Sequence, residues 1–150
     1  MWTPALVAFA HFLAAFGLVG TLVFEWLTFS PAPTLREAKR LATADRWYGI
    51  SAVVLLVAGF VRAAHFEKGW AYYQHNPFFH AKLGLFVLIG LLSIVPTVRY
   101  IKWGAELKAG RAPVVTEAQY RRTRLCLNLQ MILLPLLVLC ASLMAHGIGA

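Results

Sequence analysis

Charged side chains are scarce in this sequence. Of its 150 residues, 13% are Asp, Glu, Lys or Arg and 60% are hydrophobic, whereas a typical soluble domain carries about 25% charged residues. The composition therefore excludes an ordinary soluble domain and favours one compact unit in lipid. The two substantial hydrophilic stretches, residues 33–46 and 104–122, are too short to form a separate catalytic domain.

The sequence also has few cysteines and no basic residue near its start. These absences argue against a disulfide, a covalent haem-attachment motif and a signal peptide. Cys126 and Cys140 are the only cysteines, and on one helix they would lie about 21 Å apart, too far for a disulfide. The sequence has no Cys-x-x-Cys-His motif for haem attachment. Nothing before Arg36 is basic, so the first apolar segment lacks the charged start of a signal peptide and we expect it to be retained.

Four long apolar segments cover residues 3–28, 47–61, 78–98 and 125–150. About twenty helical residues cross a hydrocarbon core of about 30 Å, and the two shorter segments reach that length with basic side chains that snorkel to the interface. Because lipid offers no partner to bare backbone groups, each segment must be a helix. We predict an all-α, integral-membrane four-helix bundle in a single domain, residues 1–150.

Local signals place the helix starts. Four sites combine a capping side chain with a following proline or a reciprocal partner: Thr3-Pro4, Asn76-Pro77, Thr34 with Glu37, and Thr116 with Gln119. The last two lie upstream of the second and fourth apolar segments, which lengthens those helices towards one membrane face. We therefore expect helices over about residues 4–28, 35–65, 77–103 and 117–147.

The basic residues are distributed unevenly among the connections. The first and third connections hold most of them, whereas the second holds only Lys68. Positive residues stay cytoplasmic, so we expect a multi-pass protein with both termini on the outer face. The excess of 14 Lys and Arg over 6 Asp and Glu then reflects topology, and no nucleic acid partner is implied.

The histidines gather on one side of this topology. His65, His75, His80 and His146 fall at or near the outer ends of helices, and none of the five histidines falls on the cytoplasmic side. Interfacial histidines of this kind are common in membrane proteins and need no special role.

His11 is different because it lies about 10 Å inside the outer boundary. Its helix has no other ionisable side chain before Glu25. Such a ring must face the bundle interior, where a partner or ligand offsets its desolvation. Ala8, Ala15 and Leu18 share its side of the helix, and the small residues leave room for another helix or a flat cofactor.

Two further pairs of ionisable residues lie near the same boundary. His80 and Lys82 are two residues apart, about 200° around the helix axis, so they cannot both aim at one point. His80 shares its face with Gly84. Arg62 and His65 are three residues apart and can act together.

This set of side chains is typical of a haem site. Neutral imidazole is a common ligand of haem iron, and the two propionates require cations near the water boundary. A four-helix bundle can hold such a planar group between facing helices. We predict haem b as the cofactor, bound by His11, His80, His65, Arg62 and Lys82. His11 and His80 are the preferred axial ligands, with His65 next.

Several stretches carry a resemblance to known families. The segment AFAHFLAAFGLVGTLVFEWL, residues 44–103 and the closing LMAHGIG resemble a family of small bacterial four-helix membrane proteins of unknown function. The match spans nearly the whole chain. It implies a location in the bacterial inner membrane.

More remotely, the chain is similar to HemJ, the membrane protoporphyrinogen oxidase family, and to CopD-type membrane domains. The HemJ resemblance implies haem b binding and oxidation of a porphyrinogen, with an early first-helix histidine, a second-helix arginine and a third-helix lysine important. His11, Arg62 and Lys82 match that pattern. HemJ's run of arginine and tyrosine after the first helix is missing, since this chain has VFEWLTFSPAP. Haem binding therefore carries over more readily than oxidase activity.

Three functional classes remain open, and whether the protein is an enzyme is open with them. The first is a haem b protein that transfers electrons, with a quinone or a porphyrinogen as partner. In the second, His11, His65 and His80 bind copper or another transition metal directly. The third is a non-catalytic membrane scaffold. Glycine and alanine faces are also compatible with a homodimer.

One acidic residue is expected to have a topological role. Glu25 lies near the cytoplasmic end of the first helix. We expect it to form an ion pair with Arg46 or Arg99; the alternative is a proton relay.

Overall fold

The computed structural model describes residues 1–149, and in that part of the chain every regular element is helical. The helices are α1 (Thr3–Thr28), α2 (Leu35–Val61), α3 (Trp70–His75), α4 (Pro77–Lys102), α5 (Gly104–Lys108) and α6 (Glu117–Ala145). A single π-helical turn, Arg62–Phe66, continues α2.

Four helical spans are long and apolar enough to cross a membrane: Thr3–Thr28, Leu35–Phe66, Pro77–Lys108 and Glu117–Ala145. The second span joins α2 to the π-helical turn, and the third joins α4 to α5. Helix α1 packs mainly against α2, and α4 mainly against α6, so two antiparallel hairpins lie side by side. The predicted fold class, an all-α integral-membrane four-helix bundle, is confirmed.

Capping side chains fix three of the four long helices. Thr116 and Gln119 form a reciprocal capping box at the start of α6. Asn76 accepts a hydrogen bond from the backbone N–H of Phe78, at 2.9 Å, and Thr34 accepts one from Glu37. The predicted cap by Thr3 is wrong, because Thr3 is itself the first helical residue and the preceding residue makes no side-chain bond.

The bundle has two chemically different ends. The end at which α1 begins and α6 finishes also carries the π-helical turn and α3, and we call it the termini end. The opposite end carries the other two connections, and we call it the basic end. Of the 14 Lys and Arg residues, all except Arg62, Lys68 and Lys82 lie towards the basic end.

An aromatic cluster ties the helices together at the basic end. Phe29, only 2% exposed, stacks on Trp103 and Tyr120 and meets Tyr100 edge-on. The guanidinium of Arg124 lies 5.6 Å from the centre of the Phe29 ring and donates hydrogen bonds to the carbonyls of Trp26, at 2.7 Å, and Phe29. These carbonyls end α1, so Arg124 caps that helix and holds it to α6.

Replacing Phe29 by alanine is expected to destabilise the fold by about 3–5 kcal/mol, because a fully buried aromatic is lost from three ring contacts. The matched control is Phe16→Ala on the same helix, whose side chain is 77% exposed in a lipid-facing position. Unfolding of the purified protein in detergent, followed by circular dichroism, measures both. Equal stability of the two variants would contradict a structural role for the aromatic cluster.

A cavity with one imidazole and one ammonium at the termini end

A cavity of about 290 Å³ lies between the four long helices, and all four contribute to its walls. Its lining consists almost entirely of Leu, Val, Phe and Ala side chains. Among the described residues, the only ionisable groups that line it are His11 and Lys82. Two polar side chains in an otherwise apolar space are typical of a ligand site, in which apolar walls bind and a few polar groups orient.

Small residues make room for the His11 ring. A Cβ atom added to Gly59 would lie 3.5 Å from Cε1 and 3.6 Å from Nδ1 of His11. An added Cβ would therefore be in ordinary van der Waals contact with the imidazole, and Gly59 leaves a space of that size beside the ring. Ala15, one turn along α1, also lines the cavity, so the space beside the ring stays open.

The His11 ring has an unsatisfied nitrogen. Nδ1 is buried and makes no hydrogen bond within the protein. The backbone of Leu55 lies near the ring but does not reach hydrogen-bond geometry with Nδ1. Because a buried polar atom without a partner costs about 1–3 kcal/mol, such an atom beside a cavity indicates a binding function.

Lys82 brings a positive charge to the same space. Its Nζ lies 5.5 Å from the centre of the Phe79 ring, a cation–π contact that partly offsets desolvation. In the part of the chain that the structure describes, no carboxylate lies within 4.0 Å of this ammonium. The cavity thus offers an unpaired cation to a ligand.

Arg62 lies beside the cavity and already has a partner. Its guanidinium carbon is 5.2 Å from the centre of the Phe12 ring, which lines the cavity. The guanidinium forms an ion pair with one carboxylate oxygen of Glu67, and the other oxygen accepts a hydrogen bond from the hydroxyl of Tyr73. π-helical turns of this kind are frequent at functional sites.

The two other predicted ligands lie outside the cavity. His80 is exposed, and its Nε2 lies 2.8 Å from the carbonyl of Gln74. His65 is also exposed in the π-helical turn, and neither ring lines the cavity. His80 and Lys82 are separated by about 200° around the helix axis, so only one of them can face the cavity. The packing of α4 turns Lys82 inwards, and His80 therefore points outwards. The structure brings together His11, Lys82 and, beside them, Arg62.

Histidines and acids do not converge on a metal site either. Within residues 1–149, no group of three His, Cys, Asp or Glu side chains is arranged to hold a metal ion. His75 and His146 each turn back to a carbonyl of their own helix, at 2.8 Å. The donor set at the cavity is therefore one imidazole with two cations.

Sequence reasoning missed Glu67 and Tyr73. Both lie in the second connection, which the sequence presents as a polar loop, and only the π-helical turn brings Glu67 onto the same side as Arg62. The expected ion pair of Glu25 with Arg46 or Arg99 is wrong. Glu25 is buried, and no ion pair in the described chain involves it.

Comparison with known proteins gives one match. A family model described as "Predicted membrane protein (DUF2214)" matches residues 3–149. The chain belongs to this family. The description assigns a membrane location and no activity, in agreement with the family resemblance read from the sequence. No curated protein and no solved structure matches the chain, so the similarity to HemJ and CopD stays a prediction.

Tyr73 lies outside the membrane-spanning helices and reports on the cluster beside the cavity. Burial, together with the Glu67 carboxylate that accepts its hydrogen bond, raises the pKa of Tyr73 to about 12. The ordinary value for tyrosine is about 10. The folded protein therefore keeps this phenol neutral over a range in which the unfolded chain ionises it.

The stability of the protein is expected to fall as pH rises from about 10 to about 12, because Tyr73 loses its proton only in the unfolded state over that interval. Below about pH 10 the phenol is protonated in both states and contributes no pH dependence. Thermal unfolding at several alkaline pH values measures the effect, and Tyr73→Phe should remove one proton's share of the slope. A Tyr73→Phe protein with an unchanged slope would show that another group causes it.

Proposed function

We propose that this protein binds haem b in the cavity at the termini end, with His11 as the iron ligand, and that it acts as a membrane redox protein. The observation that carries the proposal is the joint presence of an unsatisfied imidazole and an unpaired ammonium in one apolar cavity. Imidazole binds haem iron, apolar walls hold the macrocycle, and cations bind the propionates.

The residues present fit this group. His11 would hold the iron, and Lys82 and Arg62 would hold the two propionates. The glycine at position 59 leaves space beside the imidazole that a side chain would otherwise fill. The same three residues are those that the HemJ resemblance singles out, which supports the proposal independently of the cavity.

The size of the cavity indicates partial enclosure. Ligand sites typically span about 300–1,000 Å³, and this one, at about 290 Å³, is at the lower limit. A macrocycle would therefore be only partly enclosed by these walls. Phe12 and Val138 line the cavity and are 54% and 56% exposed on the lipid side, so one wall is formed by side chains that also face lipid.

Haem b would supply a one-electron carrier at this position. The protein's part is to bind the macrocycle, keep bulk water from most of it, and place cations that favour its reduced form. Because the cavity wall faces lipid, a lipid-soluble partner such as a quinone or a porphyrinogen is favoured. Direct binding of copper has less support, since it needs several donors and the cavity provides one imidazole.

We further propose that the basic end faces the cytoplasm of a bacterial cell and the cavity faces outwards. This assignment rests on the charge asymmetry between the ends, because positive residues are retained on the cytoplasmic side. It places His11, Lys82 and Arg62 within about two helical turns of the outer surface.

The His11→Ala variant is expected to lose the Soret absorption of the purified protein, because the iron loses its ligand from the chain. His80→Ala is the matched control, since that imidazole lies outside the cavity and its loss should leave haem content unchanged. Pyridine haemochrome analysis after expression with a haem precursor measures the amount bound. A colourless wild-type protein, or a His11→Ala variant with full haem content, would refute the proposal.

Lys82→Gln is expected to retain the Soret band but to lose haem more readily, because one propionate partner is removed while the iron ligand stays. The rate of haem transfer to an apoprotein acceptor measures retention, and a rise of about tenfold corresponds to about 1.4 kcal/mol. Lys68→Gln, which removes an exposed cation from the neighbouring connection, serves as the control. Equal rates for the two variants would exclude Lys82 as a haem partner.

The orientation can be tested separately in intact bacteria. Alkaline phosphatase fused after the C-terminus should be active, because it would be exported, whereas the same enzyme inserted at Gly110 in the basic connection should be inactive. A fluorescent protein that folds only in the cytoplasm should give the reverse pattern. The opposite result at both positions would invert the topology.

A further inference from the structure

A second set of buried polar groups lies at the opposite end of the bundle. Glu25 of α1 is 2% exposed and Asp45 of α2 is 8% exposed. The Oε1 atom of Glu25 is buried and has no hydrogen-bond partner in the protein. The Asp45 carboxyl is close enough to act on Glu25 electrostatically. Two acidic groups thus share one water-poor region of the bundle.

No cation neutralises this pair. Within residues 1–149, the ion pairs are Arg62–Glu67, Arg111–Glu106 and Arg121–Glu117, all elsewhere. Arg124, the nearby cation of α6, is committed to the carbonyls that end α1. Arg99 of α4 has a buried Nε without a partner, yet it makes no ion pair with either acid.

Neutral polar side chains surround the acids. Thr97 donates a hydrogen bond to Oδ1 of Asp45, at 2.8 Å, and Tyr48 donates one to Oε1 of Gln130, at 2.7 Å. The hydroxyl of Tyr100 faces the Glu25 carboxyl but does not reach hydrogen-bond geometry.

Tyr100 supplies an observation independent of the acids themselves. Its side chain is 2% exposed, and its hydroxyl is buried without any partner in the protein. A hydroxyl oxygen can accept a hydrogen bond as well as donate one, so a protonated Glu25 carboxyl would supply the partner that Tyr100 lacks.

From this arrangement we propose that Glu25 and Asp45 form a proton-binding site, in which the Glu25 carboxyl takes up a proton and exchanges it with the compartment at the basic end. An isolated carboxylate is far too costly to bury, so such a group neutralises itself when no cation is present. The proton adds to a carboxylate oxygen and leaves from it, and the charge of the cluster changes by one each time.

The chemistry favours a proton over a metal cation. Hard cations such as Ca²⁺ take six or more oxygen ligands, whereas here Asp45 Oδ1 and Gln130 Oε1 already accept hydrogen bonds. The titratable or charged groups that face Glu25 and its immediate neighbours from the surrounding helices are Asp45, Tyr48, Tyr100 and Arg124. The site is independent of the cavity at the termini end and needs no haem.

Infrared spectroscopy of the full-length protein in lipid nanodiscs tests the site directly. At pH 7, wild-type protein is expected to show the carbonyl stretch of a protonated carboxyl group. This band should shift when glutamate alone is labelled with ¹³C, and it should also shift on transfer to D₂O because the proton exchanges. Glu25→Gln should abolish it, whereas Glu117→Gln, a change at an exposed glutamate, should leave it intact.

Asp45→Asn provides a second readout. Removing the neighbouring acid should move the pH at which the Glu25 band disappears to lower values, because a like charge no longer opposes ionisation. The ¹³C-labelled wild-type protein decides the matter if Glu25→Gln does not fold. Absence of the band at pH 7, a band unchanged by glutamate labelling, no shift in D₂O, or a band that responds to Na⁺ at constant pH would each overturn the proposal.

Discussion

The structure depends on one constraint: inside a membrane, a polar group must find its partner within the protein. Some polar side chains in this bundle satisfy it through hydrogen bonds between helices. Trp26 bonds Asn128 and Tyr48 bonds Gln130, so α1 and α2 are each joined to α6 by a side-chain hydrogen bond. The buried polar atoms that lack a partner are therefore the candidates for a functional role. His11 at one end, and Glu25 with Tyr100 at the other, each have a buried polar atom without a partner in the described part of the chain.

The charged groups around His11 and those around Glu25 have opposite signs. At the termini end the neighbours of His11 are cations, Lys82 and Arg62, so the cavity is suited to a ligand with an anionic edge. At the basic end the neighbour of Glu25 is another acid, so that region is suited to a positive species. Most of the basic side chains there remain at the surface and do not enter the bundle. The buried groups at the two ends of the bundle are therefore suited to species of opposite charge.

The sequence predicted the helices and the inward position of His11, but it could not predict how each helix is rotated. Helix spans follow from composition, and a lone histidine in an apolar segment must face inwards, so both inferences need only local information. The choice between His80 and Lys82 depends on the packing of α4 against α6, which no single segment contains. The Glu25 pairing failed for a related reason. Arg46 is exposed, and Arg99 makes no ion pair in the described part of the chain, and neither fact is visible in the order of residues.

The π-helical turn lies between the cavity and the second connection. Arg62 and Glu67 are five residues apart, and on an α-helix they would be separated by about 140° around the axis. A π-helical turn brings residues with this spacing onto one side, so the Arg62–Glu67 ion pair depends on that turn, and Tyr73 of α3 is attached to the same carboxylate. A ligand whose anionic edge binds Arg62 competes with Glu67 for one guanidinium. If the proposed ligand binds Arg62, its binding would therefore be coupled to the conformation of the turn, and through Tyr73 to α3.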